Sequence, residues 1–383
     1  MTPAARLSAA IGVLDRVLAG ESAEKALTNW GRASRFAGSG DRAAVRDLVF
    51  DALRQRRSMA ALGGGMTGRG LILGLARAAG EEALFSGEGH APATPRPDEA
   101  GRAPEGTEAL DLPDWLVPEL RRSLGDPLEP VAEALRRRAP VFLRVNLGKT
   151  DPQRAITALA AEGIAARPHP LAKTALEVTE NARKIQNSQA YLTGLVELQD
   201  AASQAVVEAL PLTDGMRVLD HCAGGGGKTL AMAARAKLRL HAHDIVARRM
   251  ADLPERARRA GAKVTLTERP AGQAPYDLVL VDAPCSGSGS WRRDPEGKWR
   301  LEAKALQDVC ARQAAILDEV APWVAKGGWL AYATCSLLEV ENGDQLARFL
   351  RDHVGWALED ERRFTPLEGG DGFYLAILRR MAQ

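Results

Sequence analysis

Apolar residues recur every three or four positions through "SAAIGVLDRVLAG" (8–20), "AEKALTNWGRAS" (23–34) and "DRAAVRDLVFDALRQRRSMAAL" (41–62). That period gathers them on one helical face, so the first part of the chain is predicted to be all-α, with Asp41 as the N-cap of the third helix. Between Ser86 and Pro113 the period is lost in "SGEGHAPATPRPDEAGRAPEGTEALDLP", too rich in Pro, Gly and charge for regular structure, which predicts a long surface loop. Helical spacing returns in "PDWLVPELRRSL" and "PLEPVAEALRRR". A strand-like "PVFLRVNLG", a helix-like "DPQRAITALAAEG" and a strand-like "TALEV" then predict a small α/β unit. From "MRVLDH" onward, apolar runs alternate with helical stretches: "LRLHAHD", "KVTLT", "YDLVLVD", "WLAYATC" and finally "FYLAILRR". Such alternation predicts a doubly wound, mostly parallel sheet of Rossmann-like α/β type, covered on both faces. Ligands of such sheets bind beyond the carboxyl ends of the strands. Asp220, Cys222, Asp244, Asp282, Cys285 and Cys335 all fall at or just past those ends.

A chain of 383 residues exceeds one ordinary core. The pattern divides it into a helical region 1–138, with the loop at 86–113, a small α/β region 139–185 and a larger α/β region 186–383. Four cysteines in this length do not form a secreted disulfide framework, and none of their spacings is the CxxC of a zinc site. Reduced thiols and no metal are expected. The start, "MTPAARLSAAIGVLDRVLAG", lacks the charged-then-apolar layout of a leader, and no apolar stretch approaches a membrane span. The expectation is a cytoplasmic monomer without a membrane partner.

A net charge of +2 argues neither for nor against nucleic acid, but its distribution is uneven. Residues 1–150 hold 21 Lys and Arg against 19 Asp and Glu; setting aside 81–114 leaves 19 basic against 10 acidic residues. The clusters "RQRR" (54–57) and "RRR" (136–138) lie in that basic remainder, as solvated helix faces or as phosphate contacts.

"LDHCAGGGGKTLAMAA" reads as strand, glycine-rich turn and helix. Glycines let backbone N–H groups approach a ligand, and the helix N-terminus adds partial positive charge. A nucleotide phosphate is one ligand that fits, but P-loop spacing requires a Gly six residues before the Lys, where Cys222 stands. The other is S-adenosylmethionine, with Asp244 at the end of the next strand as acceptor for the two ribose hydroxyls.

The segments "LDHCAGGGGKT", "VDAPCSGSGSWRRDPEGKW" and "YATCSLLEVEN", in this order, resemble the Sun/Fmu family of bacterial ribosomal RNA cytosine-5 methyltransferases and its eukaryotic nucleolar relatives. The likeness extends through "GLVELQDAASQAVVEAL" and "FLRVNLGKTDP" to an N-terminal helical region similar to the RNA-binding antitermination factor NusB. It implies a class I methyltransferase domain preceded by an all-α NusB-like domain and a small α/β, RRM-like subdomain, acting on small-subunit ribosomal RNA. Cytosine C5 is a poor nucleophile until a thiolate adds at C6, and the adduct must later be released, so the chemistry has work for two cysteines. The family's pattern makes Cys335 of Thr-Cys-Ser the nucleophile and Cys285 of Pro-Cys-Ser the residue that assists release. It places Asp282 on the N3/N4 edge of the cytosine and beside the cofactor, and Lys228 near a thiol or the cofactor carboxylate. Cys222, Ala223, Gly224, Gly225, Gly226 and Gly227, with Lys228, Asp244, Glu268 and Asp282, form the implied cofactor site.

In the loop after Cys285, Arg292, Arg293 and Trp299 suit phosphate contact and base stacking, or equally a packed Trp and solvated Arg. Cys310, at an apolar helical spacing, reads as an inert thiol. The family has Ala-Pro-Gly-Gly-Lys where this chain runs Ala223-Gly224-Gly225-Gly226-Gly227-Lys228, a looser loop expected to bind cofactor less tightly. Glu268 stands where the family has an Asp toward the adenine. Rival readings are a non-catalytic RNA-binding assembly factor of the same fold, opposed by the intact Cys335, Cys285, Asp282 and Lys228, and a P-loop NTPase, opposed by Cys222.

Overall fold

The computed structural model describes residues 1–382. They divide into two compact units, Met1–Arg138 with Trp291–Arg300, and Ala139–Ser290 with Leu301 onward.

In the first unit α1 (Pro3–Leu18), α2 (Ala23–Ala33), α3 (Ser39–Arg54), α4 (Arg56–Gly63) and α5 (Gly68–Ala79) bury Leu14, Val49, Leu53, Leu71 and Ile72 in one core. Hydroxyl caps set the starts of three of them: Thr2, Ser22 and Thr67 accept from the N–H groups of Ala5, Lys25 and Gly70. Asp41 is not the N-cap expected of it. The helix begins at Ser39, and from its third position the Asp41 carboxylate reaches back to the Gly38 N–H at 3.2 Å, as in a capping box. The region 86–113 carries only short 3-10 turns, yet it is strapped down. Buried Glu99 accepts from Arg69 Nε at 2.6 Å, which holds its carboxyl down at about 2, and Arg77 Nη1 donates to the Glu99 carbonyl at 2.6 Å. Two further helices, α6 (Val117–Leu124) and α7 (Leu128–Leu135), complete this stretch.

The second unit opens with β1 (Val141–Val145), α8 (Pro152–Ala161), β2 (Ala165–Pro168), β3 (Ala175–Glu180), α9 (Gln189–Leu192) and β4 (Val196–Leu198). The strands form an antiparallel sheet in the order β2-β3-β1-β4, with Leu143 opposite both Leu176 and Leu198. β2 and β4, four and three residues long, were not legible as strands because neither spans enough residues to show a period.

Then follow α10 (Ala201–Ala209), β5 (Arg217–His221), α11 (Gly227–Ala233), β6 (Arg239–His243), α12 (Leu253–Ala260), β7 (Thr265–Leu266) and β8 (Tyr276–Asp282). After α13 (Gly297–Arg300), which belongs to the first unit, come α14 (Ala303–Val320), β9 (Val324–Thr334), α15 (Gly343–Asp352), β10 (Trp356–Phe364) and β11 (Phe373–Arg380). Seven strands pair in the order β10-β11-β9-β8-β5-β6-β7. The five from β9 to β7 run parallel, and β11 is antiparallel to both its neighbours. Leu219, Val279 and Tyr332 are buried on one face and Val218, Leu278, Leu280 and Ala331 on the other, which is why these strands read as unbroken apolar runs. Truncating one such Leu to Ala costs about 2–5 kcal/mol. The chain starts at β5, moves to β6 and β7, and crosses back to β8, so the strand order reverses between β5 and β8 and opens a crevice at their carboxyl ends.

Candidate active site

β8 and β9 are parallel neighbours with Asp282 opposite Ala333, so the turns that follow them leave the sheet side by side. The Ala283 N–H donates to the Ala333 carbonyl at 2.9 Å, carrying the pairing one residue past β8. This brings Cys285 Sγ to 3.3 Å from Cys335 Sγ, both partly exposed. Donation from the Cys285 S–H holds Cys335 below the ordinary thiol value; burial and Asp282 oppose the shift and the Lys228 ammonium supports it. The same contact, with burial, pushes Cys285 well up. Of the two sulfurs, Cys335 is therefore the one more readily deprotonated. Lys228, buried at the start of α11, lies with Nζ 2.8 Å from Asp282 Oδ2 and 4.8 Å from the centre of the Phe373 ring. Burial, the largest single influence, works against its charge, but Asp282 together with Cys335 and Asp220 outweighs it, and its pKa is raised.

The glycine-rich turn joins β5 to α11. Gly224 and Gly226 hold φ of +53° and +79°, and a Cβ on Gly226 would lie 2.2 Å from Leu253 Cδ1, so neither position admits an ordinary side chain. Cys222 is one of three non-glycine residues with positive φ among the described residues, at 69°. Its thiol is pushed up to about 12 by burial and by neighbouring carboxylates, Asp282 foremost, so it stays protonated. Asp244 is buried just past β6, its Oδ2 accepting from the Gly224 N–H at 3.0 Å and its Oδ1 from the Val246 N–H at 2.9 Å. Arg249 Nη1 pairs with Oδ2 at 3.0 Å from a half-exposed side chain. The structure therefore gathers Lys228, Asp282, Cys285 and Cys335 at one point, with the 222–227 turn and Asp244 on the neighbouring strands. Glu268 lies past β7, exposed and without a hydrogen bond or ion pair among the described residues.

Residues 207–379 match the family described as 16S rRNA methyltransferase RsmB/F, and residues 112–186 the ferredoxin-like domain described as Methyltr_RsmF/B-like. Ribosomal RNA small subunit methyltransferase B of Xanthomonas campestris pv. campestris is 33% identical over 290 residues, covering 70% of this chain and 66% of that protein. Its counterpart from Erwinia tasmaniensis is also 33% identical over 290 residues, covering 72% of this chain and 67% of that protein. This chain belongs to the RsmB/F family. The aligned region spans about two thirds of the length of these relatives. A methyltransferase homolog protein from Pyrococcus horikoshii, 24% identical, shares the fold with a TM-score of 0.63 over 72% of this chain and 97% of its own. The cofactor of this methyltransferase family is S-adenosylmethionine.

Within this RsmB/F member, one buried carboxylate joins the two cysteine turns. Glu341 Oε1 accepts from the Ser286 N–H at 2.7 Å and from Gln313 Nε2 at 3.1 Å, while its Oε2 accepts from the hydroxyls of both Ser286 and Ser336. Ser286 and Ser336 are the residues immediately after the two cysteines. Asn342 braces the Cys335 turn alone, accepting from Thr334 Oγ1 at 2.6 Å and donating to the Ser336 carbonyl at 3.0 Å. From the antiparallel sheet, buried Arg144 donates through Nη1 to the Gly227 carbonyl at 2.7 Å, bracing the cofactor turn. Sequence reasoning assigned none of these roles. The available signal was the Ser repeated after each Cys, with the polar Glu341-Asn342 pair closing an apolar run.

The segment after Cys285 departs from one reading offered for it. Residues 291–300 belong to the first unit, where Trp299 Nε1 donates to the Leu53 carbonyl at 2.7 Å and Arg56 lies 5.3 Å from the centre of its ring. Arg292 is buried, and its carbonyl accepts from Arg54 Nε at 2.8 Å. Lys298, also buried, donates to the Arg54 carbonyl at 2.8 Å. Trp299 is a packed, hydrogen-bonded residue rather than an open stacking platform. Cys310 lies on α14 with Sγ 3.5 Å from the Val340 carbonyl.

Proposed function

We propose that this chain is an S-adenosylmethionine-dependent RNA cytosine-5 methyltransferase acting on small-subunit ribosomal RNA through a covalent adduct at Cys335. The observation that carries the reading is the 3.3 Å contact between the two sulfurs, which lowers the pKa of Cys335 and raises that of Cys285. The name of the bacterial relatives, ribosomal RNA small subunit methyltransferase B, supports the RNA substrate.

The donor set suits the cofactor. A carboxylate offers roughly four acceptor positions. Three on Asp244 are taken, one of them by the exposed Arg249, so exchanging that contact frees the two that a vicinal diol needs. When bound, S-adenosylmethionine supplies an electrophilic methyl group. The thiolate of Cys335 adds to cytosine C6, and the electron pair of the C5–C6 bond becomes available at C5 to form the C5–methyl bond. The C5 proton then passes to water, its electron pair restores the C5–C6 double bond, and the C6–S bond breaks with its pair returning to Cys335 as thiolate, with Cys285 beside it to assist release. Asp282, oriented by Lys228, meets the N3/N4 edge of the base. A duplex buries that edge, so the target base must be unpaired or flipped.

The test is the fate of the adduct. Cys285→Ala should accumulate a covalent protein–RNA complex that survives denaturing electrophoresis, and Cys335→Ala should form none. Adducts from the second variant and none from the first would reverse the two assignments.

A further inference from the structure

The basic clusters conspicuous in the sequence are engaged within the first unit. Arg54 pairs with Asp51 at 2.7 Å, Arg57 with Asp114 at 2.7 Å and Arg136 with buried Asp111 at 3.0 Å. Arg137 and Arg138 are paired with Glu133 and Asp47 at 3.0 and 3.1 Å. As phosphate contacts these paired groups are poor candidates, since each of the five guanidiniums would have to give up a carboxylate, and Arg56 of the first cluster lies over the Trp299 ring. The uncommitted guanidinium groups lie elsewhere. A groove of about 760 Å³ between α2 and α3 is lined by Arg32, Arg35, Arg42 and Arg46, with Trp30 among its walls. Arg32 and Arg35 are exposed and have no hydrogen bond or ion pair among the described residues. Arg42 is exposed and gives only its Nε, to the Ala37 carbonyl at 3.1 Å, leaving its terminal nitrogens open. Glu24, the only acid on the groove wall among the described residues, is taken by Arg46. Beside Arg35, Phe36 is 76% exposed.

We propose that this groove binds the phosphate backbone of the RNA substrate outside the catalytic crevice, with Arg32, Arg35 and Arg42 as its phosphate contacts. The inference rests on the RNA-methyltransferase reading above. Planar guanidinium forks match phosphate oxygens, and three of them on one wall without counter-ions concentrate positive potential there. Exposed Phe36, next in sequence to Arg35, and the partly exposed Trp30 on the groove wall favour a polynucleotide over an acidic polypeptide, because bases stack on aromatic rings.

The three side chains are exposed, so the triple substitution to Ala should leave thermal unfolding unchanged. With a small-subunit rRNA transcript as probe, each lost phosphate contact removes about 0.7–0.9 from the slope of log K against log salt, so the slope should flatten by about two to three. Affinity near 0.1 M salt should fall about tenfold or more. KM for the transcript should rise in step while kcat at saturating RNA and the affinity for S-adenosylmethionine hold, and the triple Lys variant should restore most of the slope. An unchanged slope and KM in the Ala variant would overturn the proposal. So would an unchanged RNA slope accompanied by lost binding of poly-glutamate, which would give the groove to an acidic polypeptide. If the wild type itself neither methylates nor binds the transcript, the failure belongs to the RNA-methyltransferase reading and not to the groove.

Discussion

Glu341 exerts two separable effects on the sulfur pair. Its oxygens accept from Ser286 and Ser336 and so fix the two turns relative to each other, and its negative charge pushes both thiols up. The two substitutions that remove one or both effects should therefore differ. Glu341→Ala leaves a backbone N–H and two hydroxyls without their acceptor, at about 1–3 kcal/mol for each one left buried. The turns are then free to drift, and because a displacement of about 1 Å can cost about a hundredfold, methylation should fall by roughly that factor. Glu341→Gln keeps an acceptor for the Ser286 N–H and removes the charge. It should retain most activity and shift the pH profile of Cys335 alkylation by iodoacetamide to lower pH. A residue that only stabilised the fold would not move that profile, so wild-type alkylation in the Gln variant would refute the charge effect, and wild-type turnover in the Ala variant would refute the clamp.

The turn between β5 and α11 raises a question at the scale of the element: which of its glycines stands in place of the family's proline. Proline needs φ near −65° and has no N–H to give. Gly224 holds φ at +53° and donates its N–H to Asp244, so it fails on both counts. Gly225 has no positive φ and its N–H has no hydrogen-bond partner among the described residues, though a Cβ there would approach Arg256 Nη1, the end of a flexible side chain, at 3.0 Å. Gly225→Pro should therefore tighten S-adenosylmethionine binding by about two- to fivefold through a less mobile free loop, read by calorimetry, whereas Gly224→Pro should weaken it. Equal or weaker binding in Gly225→Pro would show that the extra glycine freedom carries no penalty. The sequence could pose this choice but not decide it, since φ is set by the Asp244 contact from a different strand. The same division holds across the elements. Strands buried on both faces, such as Tyr276–Asp282 and Phe373–Arg380, were legible from apolar runs alone. β10, "WALEDERRF", was not, because an edge strand with charged, solvated positions shows no such run. The cysteine turns were legible as motifs, but Glu341 became visible only when β8 and β9 were seen to be neighbours.

At the scale of the whole molecule, each of the two units buries an ionisable group with a displaced pKa, and the displacements give opposite dependences on pH. Asp220, fully buried at the end of β5 with Thr229 Oγ1 at 2.5 Å, is pushed up to about 7, chiefly by burial. Between the ordinary carboxylate value and 7 the folded chain holds a proton that the unfolded chain has released, so this group makes stability fall as pH rises across that window. Lys298, in the other unit, is pulled down to about 7 by burial. Between 7 and the ordinary lysine value the unfolded chain holds the extra proton, so stability rises with pH there, and below 7 the full penalty of the buried charge remains. Asp220→Asn keeps an acceptor for Thr229 and removes the titration. Compared with the wild type it should be more stable at pH 8.5, with the advantage shrinking steadily as pH falls from 7 toward 4. Lys298→Met should behave in the opposite sense, its advantage over the wild type largest below pH 7 and declining toward pH 10. Chemical denaturation of the wild type and both variants from pH 5 to 9 reads these differences directly, because every other titrating group cancels in the comparison. Parallel curves for Asp220→Asn and the wild type would mean that the carboxyl reaches solvent and titrates normally. In that case Asp220 would carry a negative charge at the end of β5, beside the glycine-rich turn, at neutral pH.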